Sequence, residues 1–111
     1  MAEELSKELN EKVLQAIEIA KTSGKIRKGG NEVTKSIEKG NAKIVVTAKD
    51  VTPPEVIMHI PLLAKEKGIK HFQITSKEEL GVAAGLPVST SAVAIVKEGD
   101  AKDIVSELLE N

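Results

Sequence analysis

Three polar side chains of different chemistry stand close together in the segment Lys28–Lys35. Glu32 and Lys35 are three residues apart, so on a helix they share one face, and Asn31 stands beside them at the start of that helix. A carboxylate, an ammonium and a carboxamide can together accept from the N1 and N2 edge of a guanine, donate to its O6 or N7, and contact an adjacent backbone. The spacing therefore indicates a set of side chains that reads a base.

The glycines before this set favour close approach of a ligand. Gly29 and Gly30 allow an unusual turn of the backbone. We predict that Asn31 caps a short helix through about Lys39, whose unpaired amides and positive dipole end suit a phosphate. A second interpretation stays open, in which Asn31 is a plain cap and Glu32 forms an ordinary surface pair with Lys35, worth a few tenths of a kcal/mol.

A second unusual element is the loop Leu86-Pro87-Val88, because loops are normally polar. Its two large apolar side chains, stiffened by the proline, could cover an unstacked base without an aromatic ring. The alternative is that these side chains only plug the edge of the core.

Charge is unevenly distributed along the chain. The net charge is −1, yet the stretch Lys21–Lys49 contains eight basic and two acidic residues, a local +6. The remainder must then carry −7. We expect the cationic stretch to act as one field that attracts phosphates, unless it is merely a solvated face.

Other chemistry has little support. There are no cysteines, which removes disulfides, thiolate metal sites and cysteine nucleophiles. His59 and His71 lack a partner at metal-ligand spacing and are interpreted as partly buried structural residues. Ser89–Ser91 has no neighbouring base and is expected to bond loop backbone. We therefore expect no catalytic residue, metal or cofactor and no small-molecule substrate. With 1% aromatic residues, a platform of several rings for base stacking is nearly excluded.

Length and pattern predict one domain spanning 1–111. Helices and strands alternate, which favours an α/β fold, a three-layer α-β-α sandwich with a sheet of about four strands. Strands are predicted at Ala42–Ala48, His71–Thr75 and Ala92–Val96, and Lys25–Lys28 is predicted to be either an edge strand or an extended link. Helices are predicted at Glu4–Lys21 and Asn31–Lys39. A third helix is predicted from a start signal at Asp50–Pro54 to Gly68, with a kink at Pro61, and a fourth from a Ser76/Glu79 capping box to Gly85. The last helix is predicted to follow a cap at Asp100 and to bury Ile104, Val105, Leu108 and Leu109. No apolar run could cross a membrane, and we expect a soluble, cytoplasmic protein.

Five ordered motifs together resemble a known family. They are GKIRKGGNEVTK at 24–35, AKIVV at 42–46 with AKDVTP at 48–53, HIPLL at 59–63, SKEELG at 76–81 and LPV at 86–88. In this order and spacing the chain closely resembles the archaeal kink-turn-binding ribosomal proteins of the large subunit, over nearly its whole length.

The resemblance implies a mixed four-stranded sheet between helices and binding to kink-turn or kink-loop RNA. Such proteins serve in the ribosome, in box C/D and H/ACA guide ribonucleoproteins and in ribonuclease P, so rRNA, guide RNA, ribonuclease P RNA and ribonucleoprotein proteins are the expected partners, with roles in rRNA modification and tRNA processing. By position, Asn31, Glu32 and Lys35 would contact sheared G·A pairs. Lys28 and Gly30 would contact the bent backbone, Lys77 would add phosphate contacts, and Leu86, Pro87 and Val88 would pack on the extruded nucleotide.

One difference from the family pattern concerns the start of the chain. Archaeal members of the family usually begin with a further extended segment, whereas the first helix is predicted here from Glu4. We expect this difference to affect the docking of partner proteins.

Three other functions remain as alternatives: a protein of the same fold that binds only rRNA, a small α/β enzyme, or an adaptor that binds proteins alone. The last would show no salt-dependent binding to RNA.

Overall fold

The structure is a computed structural model that describes residues 7–52 and 57–110. Its helices are α1 (Lys7–Ser23), α2 (Gly30–Glu38), α3 (His59–Glu66), α4 (Lys77–Ala83) and α5 (Lys102–Glu110). Its strands are β1 (Lys25–Lys28), β2 (Ile44–Ala48), β3 (Lys70–Ile74) and β4 (Ala92–Lys97). The predicted alternation of elements is confirmed, and the predicted start of the first helix at Glu4 lies outside the described residues.

The four strands form one mixed sheet in the order β1-β4-β2-β3. β4 runs antiparallel to both β1 and β2, and β2 runs parallel to β3. The two central strands are β4 and β2, and every residue of β2 is buried, as expected for a β-branched strand covered on both faces. The sheet thus confirms the predicted α/β class.

The helices cover the sheet in two groups. α1 packs with α4 and α5, while α2 packs with α3. The core between these layers is aliphatic and includes Ile17, Ile37, Val46, Leu80 and Ile95, each fully buried. Because the sequence has a single aromatic residue, branched aliphatic side chains fill most of this interior. Valine and isoleucine are also the residues that favour central strands.

The third helix begins later than predicted. It starts at His59, and the expected start signal at Pro53 and Pro54 falls outside the described residues. Pro61 then lies in the first turn, where a backbone N–H has no intrahelical acceptor in any helix. The proline therefore removes no helical hydrogen bond, and the predicted basis for a kink was wrong.

The last helix also differs from the prediction. Gly99–Ala101 forms a 3₁₀ turn, and α5 begins after it, so Asp100 is not the N-cap of an α-helix. The backbone N–H of Asp100 instead donates to Ser23 Oγ at 2.8 Å. Leu109, predicted to be buried, is 48% exposed, because the buried stripe of α5 runs through Val105 and Leu108.

A glycine inside α4 has a packing role. A Cβ at Gly81 would lie 2.2 Å from the Val88 carbonyl oxygen and 3.0 Å from the Cα of Ser89. The Leu86 N–H also donates to the Gly81 carbonyl at 2.9 Å. The loop after α4 therefore folds directly onto the helix, at a distance that only glycine permits.

Substitution Gly81→Ala should destabilise the protein despite the better helix propensity of alanine. The added methyl group meets backbone, so the loop 86–89 must shift, at a cost of about 1–3 kcal/mol. Urea unfolding monitored by circular dichroism measures this change. The matched variant Val82→Ala, at an exposed neighbour on the same helix, should change the unfolding free energy by less than about 0.5 kcal/mol. Equal stability of G81A and the parent chain would contradict this packing.

Candidate nucleic-acid interface

Four chain segments meet at one edge of the sheet. The ends of β1, β2 and β3 and the beginning of β4 lie together there, because β4 is antiparallel to its two neighbours: Lys28 pairs with Val93, and Thr47 pairs with Ala92. The segments that follow or precede these strand ends are 28–32, 49–52, 75–77 and 86–91. Nearly all residues predicted from the sequence to bind are in these segments, and Lys35 lies on the helix that begins in the first of them.

Backbone hydrogen bonds link these segments to one another. Gly29 N–H donates to the Ala92 carbonyl at 2.8 Å, and Ala48 N–H donates to the Ser91 carbonyl at 3.0 Å. Thr90 N–H donates to the Lys77 carbonyl at 3.2 Å. The edge is therefore a connected surface, and we refer to it as the loop edge.

The tip of α2 is formed by Gly29. This residue has φ 90° and ψ 153°, a conformation that L-residues with a side chain rarely adopt, and it turns the chain directly from β1 into the helix. Apart from Gly29 itself and its two chain neighbours, no described residue has a heavy atom within 4 Å of the position that a Cβ would take at Gly29. The space over the tip is open, so a ligand can approach the backbone.

Asn31 does not cap the helix, contrary to the prediction. α2 begins at Gly30, one residue earlier than expected, with Gly29 as N-cap and no side-chain hydrogen bond to it. Asn31 consequently lies in the first turn, with an exposed side chain. The first amides of α2 lack intrahelical partners, as at any helix start, and in the described part of the chain no side chain caps them.

The polar set at this tip is exposed. Lys28, Asn31, Glu32 and Lys35 are all exposed, and Gly30 is half-buried. Among residues 7–52 and 57–110, no ion pair joins Glu32 to Lys35. The second interpretation of this segment required an ion pair between Glu32 and Lys35 and a cap by Asn31, and neither is found among the described residues. The carboxylate, carboxamide and ammonium are thus available to an external partner.

Thr34 and His59, neither of which was predicted to bind RNA, hold the first turn of α2 against α3. The Thr34 hydroxyl donates to the Gly30 carbonyl at 2.7 Å, and Thr34 Oγ1 lies 2.7 Å from His59 Nε2 on α3. Since the hydroxyl proton is used toward Gly30, the His59 Nε2–H is the donor to Thr34. This chain of bonds ties the first turn of α2 to α3. His59 is exposed rather than partly buried as expected.

Removal of the Thr34 hydroxyl should loosen the tip. Thr34→Val keeps the shape of the side chain but breaks both hydrogen bonds, and we expect a loss of about 0.5–1.5 kcal/mol in the free energy of unfolding. Thr34→Ser retains the hydroxyl and serves as the control. Chemical denaturation measures both variants, and a valine variant as stable as the serine variant would show that these bonds contribute nothing.

The apolar loop divides into two parts. Leu86 is half-buried and packs against the core. Pro87 is exposed, and Val88 is 66% exposed. Val88 and Pro87 are therefore the more exposed apolar side chains of this loop, and Leu86 links them to the core.

Lys77 is held by Asp50, a residue that was predicted to start the third helix. Its backbone N–H donates to Asp50 Oδ1 at 2.8 Å, and Ser76 Oγ accepts from Glu79 N–H at 3.2 Å, which confirms the Ser76 half of the predicted capping box. Asp50 was predicted to start the next helix in sequence but instead caps α4, 27 residues away. The half-buried Lys77 thus lies at the loop edge with its amide already satisfied.

The cationic stretch does not form one patch, contrary to expectation. Lys25 pairs with Lys97 at the far end of the sheet, and Lys43 precedes β2 at that same end. Lys28 and Lys49 lie at the loop edge. Along β2, the distance from Lys43 to Lys49 is about 20 Å at the rise of an extended strand. Because the Debye length is about 8 Å at physiological salt, the two groups act separately.

His71 belongs to the sheet and not to the loop edge. Its Nε2 lies 2.7 Å from Oγ1 of Thr47, which is buried in the neighbouring strand. Burial lowers the pKa of His71 below its usual 6.5, because the charged imidazolium is poorly solvated there. The role predicted for His71, a partly buried structural residue, matches this position.

Stability should fall as the pH drops below about 6.5, the ordinary pKa of histidine. The unfolded chain then binds a proton at residue 71 that the folded chain resists, so protons favour unfolding until the lowered pKa is reached. His71→Gln removes this titration. Unfolding free energies between about pH 7.5 and 5.5 should decline more steeply for the parent chain than for H71Q. Parallel pH profiles would rule out this linkage.

Residues 7–52 and 57–110 give no support for a metal site or for a membrane-spanning helix. No three histidine, aspartate or glutamate side chains in these ranges are close enough to share a metal ion. None of the helices in the same ranges is both long and apolar enough to traverse a lipid bilayer.

The fold and the loop edge define a small α/β protein in which exposed polar and apolar loops surround one helix tip. The chain belongs to the ribosomal protein L7Ae/L30e/S12e/Gadd45 family, whose sequence profile matches residues 11–105. Its structure is similar to that of the Giardia lamblia 15.5kD RNA binding protein, with a TM-score of 0.91 and 30% sequence identity, over 96% of this chain and 89% of the other. The resemblance identified from the sequence motifs is confirmed.

Proposed function

We propose that this protein binds kink-turn RNA through the loop edge and changes nothing covalently. The observation that carries the proposal is the exposed and unpaired set Asn31, Glu32 and Lys35 at an open helix tip. A kinked RNA brings phosphates close together, and their repulsion makes the bend costly. The amides at the start of α2 and the cations at the loop edge offset this repulsion, so the protein selects the bent form.

Specificity comes from different parts of the loop edge. Glu32 accepts from guanine N1 and N2 edges in tandem sheared G·A pairs, while Asn31 and Lys35 contact neighbouring acceptors. In this proposal Lys28, Gly30 and Lys77 contact the bent backbone of the RNA. Val88 and Pro87 cover the nucleotide thrown out of the stack, which an apolar surface can do without an aromatic ring.

The biological setting follows from the same chemistry. Family membership and the likeness to an RNA-binding protein support RNA as the partner. We propose that the RNA targets are kink-turns of large-subunit rRNA, of box C/D and H/ACA guide RNAs and of ribonuclease P RNA. Sequencing of RNA cross-linked to the protein in cells distinguishes this range of targets from binding to rRNA alone.

Substitution Lys35→Ala should weaken specific binding by about 1–3 kcal/mol, the usual cost of losing a base contact. The matched control is Lys43→Ala, an exposed lysine at the opposite end of the sheet. Because it lies far from the loop edge, K43A should bind as the parent chain does at physiological salt and should leave the salt dependence unchanged.

The measurement is a titration at fixed salt with two RNAs of equal length. One contains tandem G·A pairs and a three-nucleotide bulge, and the other is a straight duplex. We expect the parent chain to prefer the kinked RNA and K35A to lose much of that preference. Equal affinity of the parent chain for both RNAs, or equal losses in K35A and K43A, would refute the assignment of the loop edge.

A further inference from the structure

A groove between α1 and α4 has no role in the proposed RNA binding. It is a cavity of about 370 Å³ lined by Leu14, Glu18, Glu78, Glu79, Val82 and Ala83. Val82 is 70% exposed, although it is an aliphatic residue on a helix whose other face is buried in the core. The floor of the groove is thus apolar and open to solvent.

The rim of this groove carries one sign of charge. Its three ionisable lining residues, Glu18, Glu78 and Glu79, are all acidic, and no lysine, arginine or histidine lines it. In the described part of the chain, none of these three carboxylates takes part in an ion pair. A groove with an apolar floor and an unneutralised acidic rim is complementary to a segment that is both apolar and cationic.

This charge pattern disfavours polyanions as occupants. RNA and anionic lipid would meet three carboxylates with no nearby cation in the groove, and like charges disfavour that contact. The larger groove between α2 and α3, about 760 Å³, differs in this respect, since Lys65 and His59 line it beside Glu38 and Glu66. Charge complementarity to a cationic segment is therefore a property of the α1–α4 groove.

We propose that the α1–α4 groove binds a basic amphipathic helix of a partner protein. Its apolar face would pack on Leu14 and Val82, and its lysine or arginine side chains would pair with the three carboxylates, as in other helix-in-groove interfaces. The groove also adjoins the apolar loop of the RNA surface, because Glu78 and Val82 line the cavity beside Pro87 and Val88 as well. A basic segment seated there can reach the phosphates of a bound RNA, which suits a ribonucleoprotein partner.

The test uses the full chain without RNA, so it does not depend on the proposed function. The probe is a blocked helical peptide of lysine and leucine, with leucines at a spacing of three and four residues. The comparison peptide has every lysine replaced by glutamate. Titration of the isotope-labelled protein, followed by amide chemical shifts, should show changes centred on α1 and α4 with the cationic peptide and no binding of the acidic one.

Charge reversal locates the site. The double variant Glu78→Lys with Glu79→Lys should weaken peptide binding by about tenfold or more, and the neutral pair E78Q/E79Q should give a smaller loss. The matched control, Glu38→Lys with Glu66→Lys in the α2–α3 groove, should bind the peptide like the parent chain. Circular dichroism confirms that each variant is folded, and the glutamine pair keeps the test valid if charge reversal disturbs the start of α4.

Three results would overturn the proposal: shifts centred on α2 and α3, binding of the acidic peptide with equal affinity, or full affinity in both α4 double variants. The variant Lys35→Ala distinguishes RNA binding at the loop edge from peptide binding in the α1–α4 groove, because it should retain peptide binding. Loss of RNA recognition in K35A alongside intact peptide binding supports both proposals, whereas a failure of either measurement leaves the other standing.

Discussion

The direction of β4 is the constraint on which the loop edge depends. This strand lies between β1 and β2 and is antiparallel to both. Its first residue therefore adjoins the last residues of its two neighbours, and its amino-terminal loop is held between theirs. The bonds from Gly29 N–H to the Ala92 carbonyl and from Ala48 N–H to the Ser91 carbonyl close this arrangement. If β4 ran parallel to β2, the apolar loop and the tip of α2 would lie at opposite ends of the sheet.

The same topology controls the electrostatics. The cationic stretch is continuous in the sequence, but its strands cross the molecule. Lys43 and Lys49 therefore lie at opposite ends of β2, although they are only six positions apart in the sequence. At an extended rise this is about 20 Å, more than two Debye lengths at physiological salt. The electric field at the loop edge is set by the few charges there, not by the charge of the whole stretch.

The sequence predicted which helices and strands form, but it did not predict the residues at which the helices begin. Aliphatic periodicity located the helices and strands because burial follows it directly. Helix caps were less predictable, since a shift of one residue changes the capping residue: α2 starts at Gly30, so Gly29 is the cap and Asn31 is not. Asp50 caps a helix that is distant in sequence, and no local pattern carries that information. The residues of the candidate site were nameable from motifs, whereas their support by Thr34 and His59 required the packing of α2 on α3.

The helix α4 borders both the α1–α4 groove and the loop 86–91. On one side it lines the acidic groove, and on the other it holds the loop 86–91 through Leu86 N–H on the Gly81 carbonyl and Thr90 N–H on the Lys77 carbonyl. Since Gly81 has no Cβ, the loop backbone lies in direct contact with the helix backbone, and little side-chain material is present to absorb a relative displacement. A partner seated in the groove would therefore act on Val88 through a short backbone path. Energetic coupling between protein docking and RNA binding requires a difference in loop position between the free and bound states, and the close contact at Gly81 is where such a difference would arise.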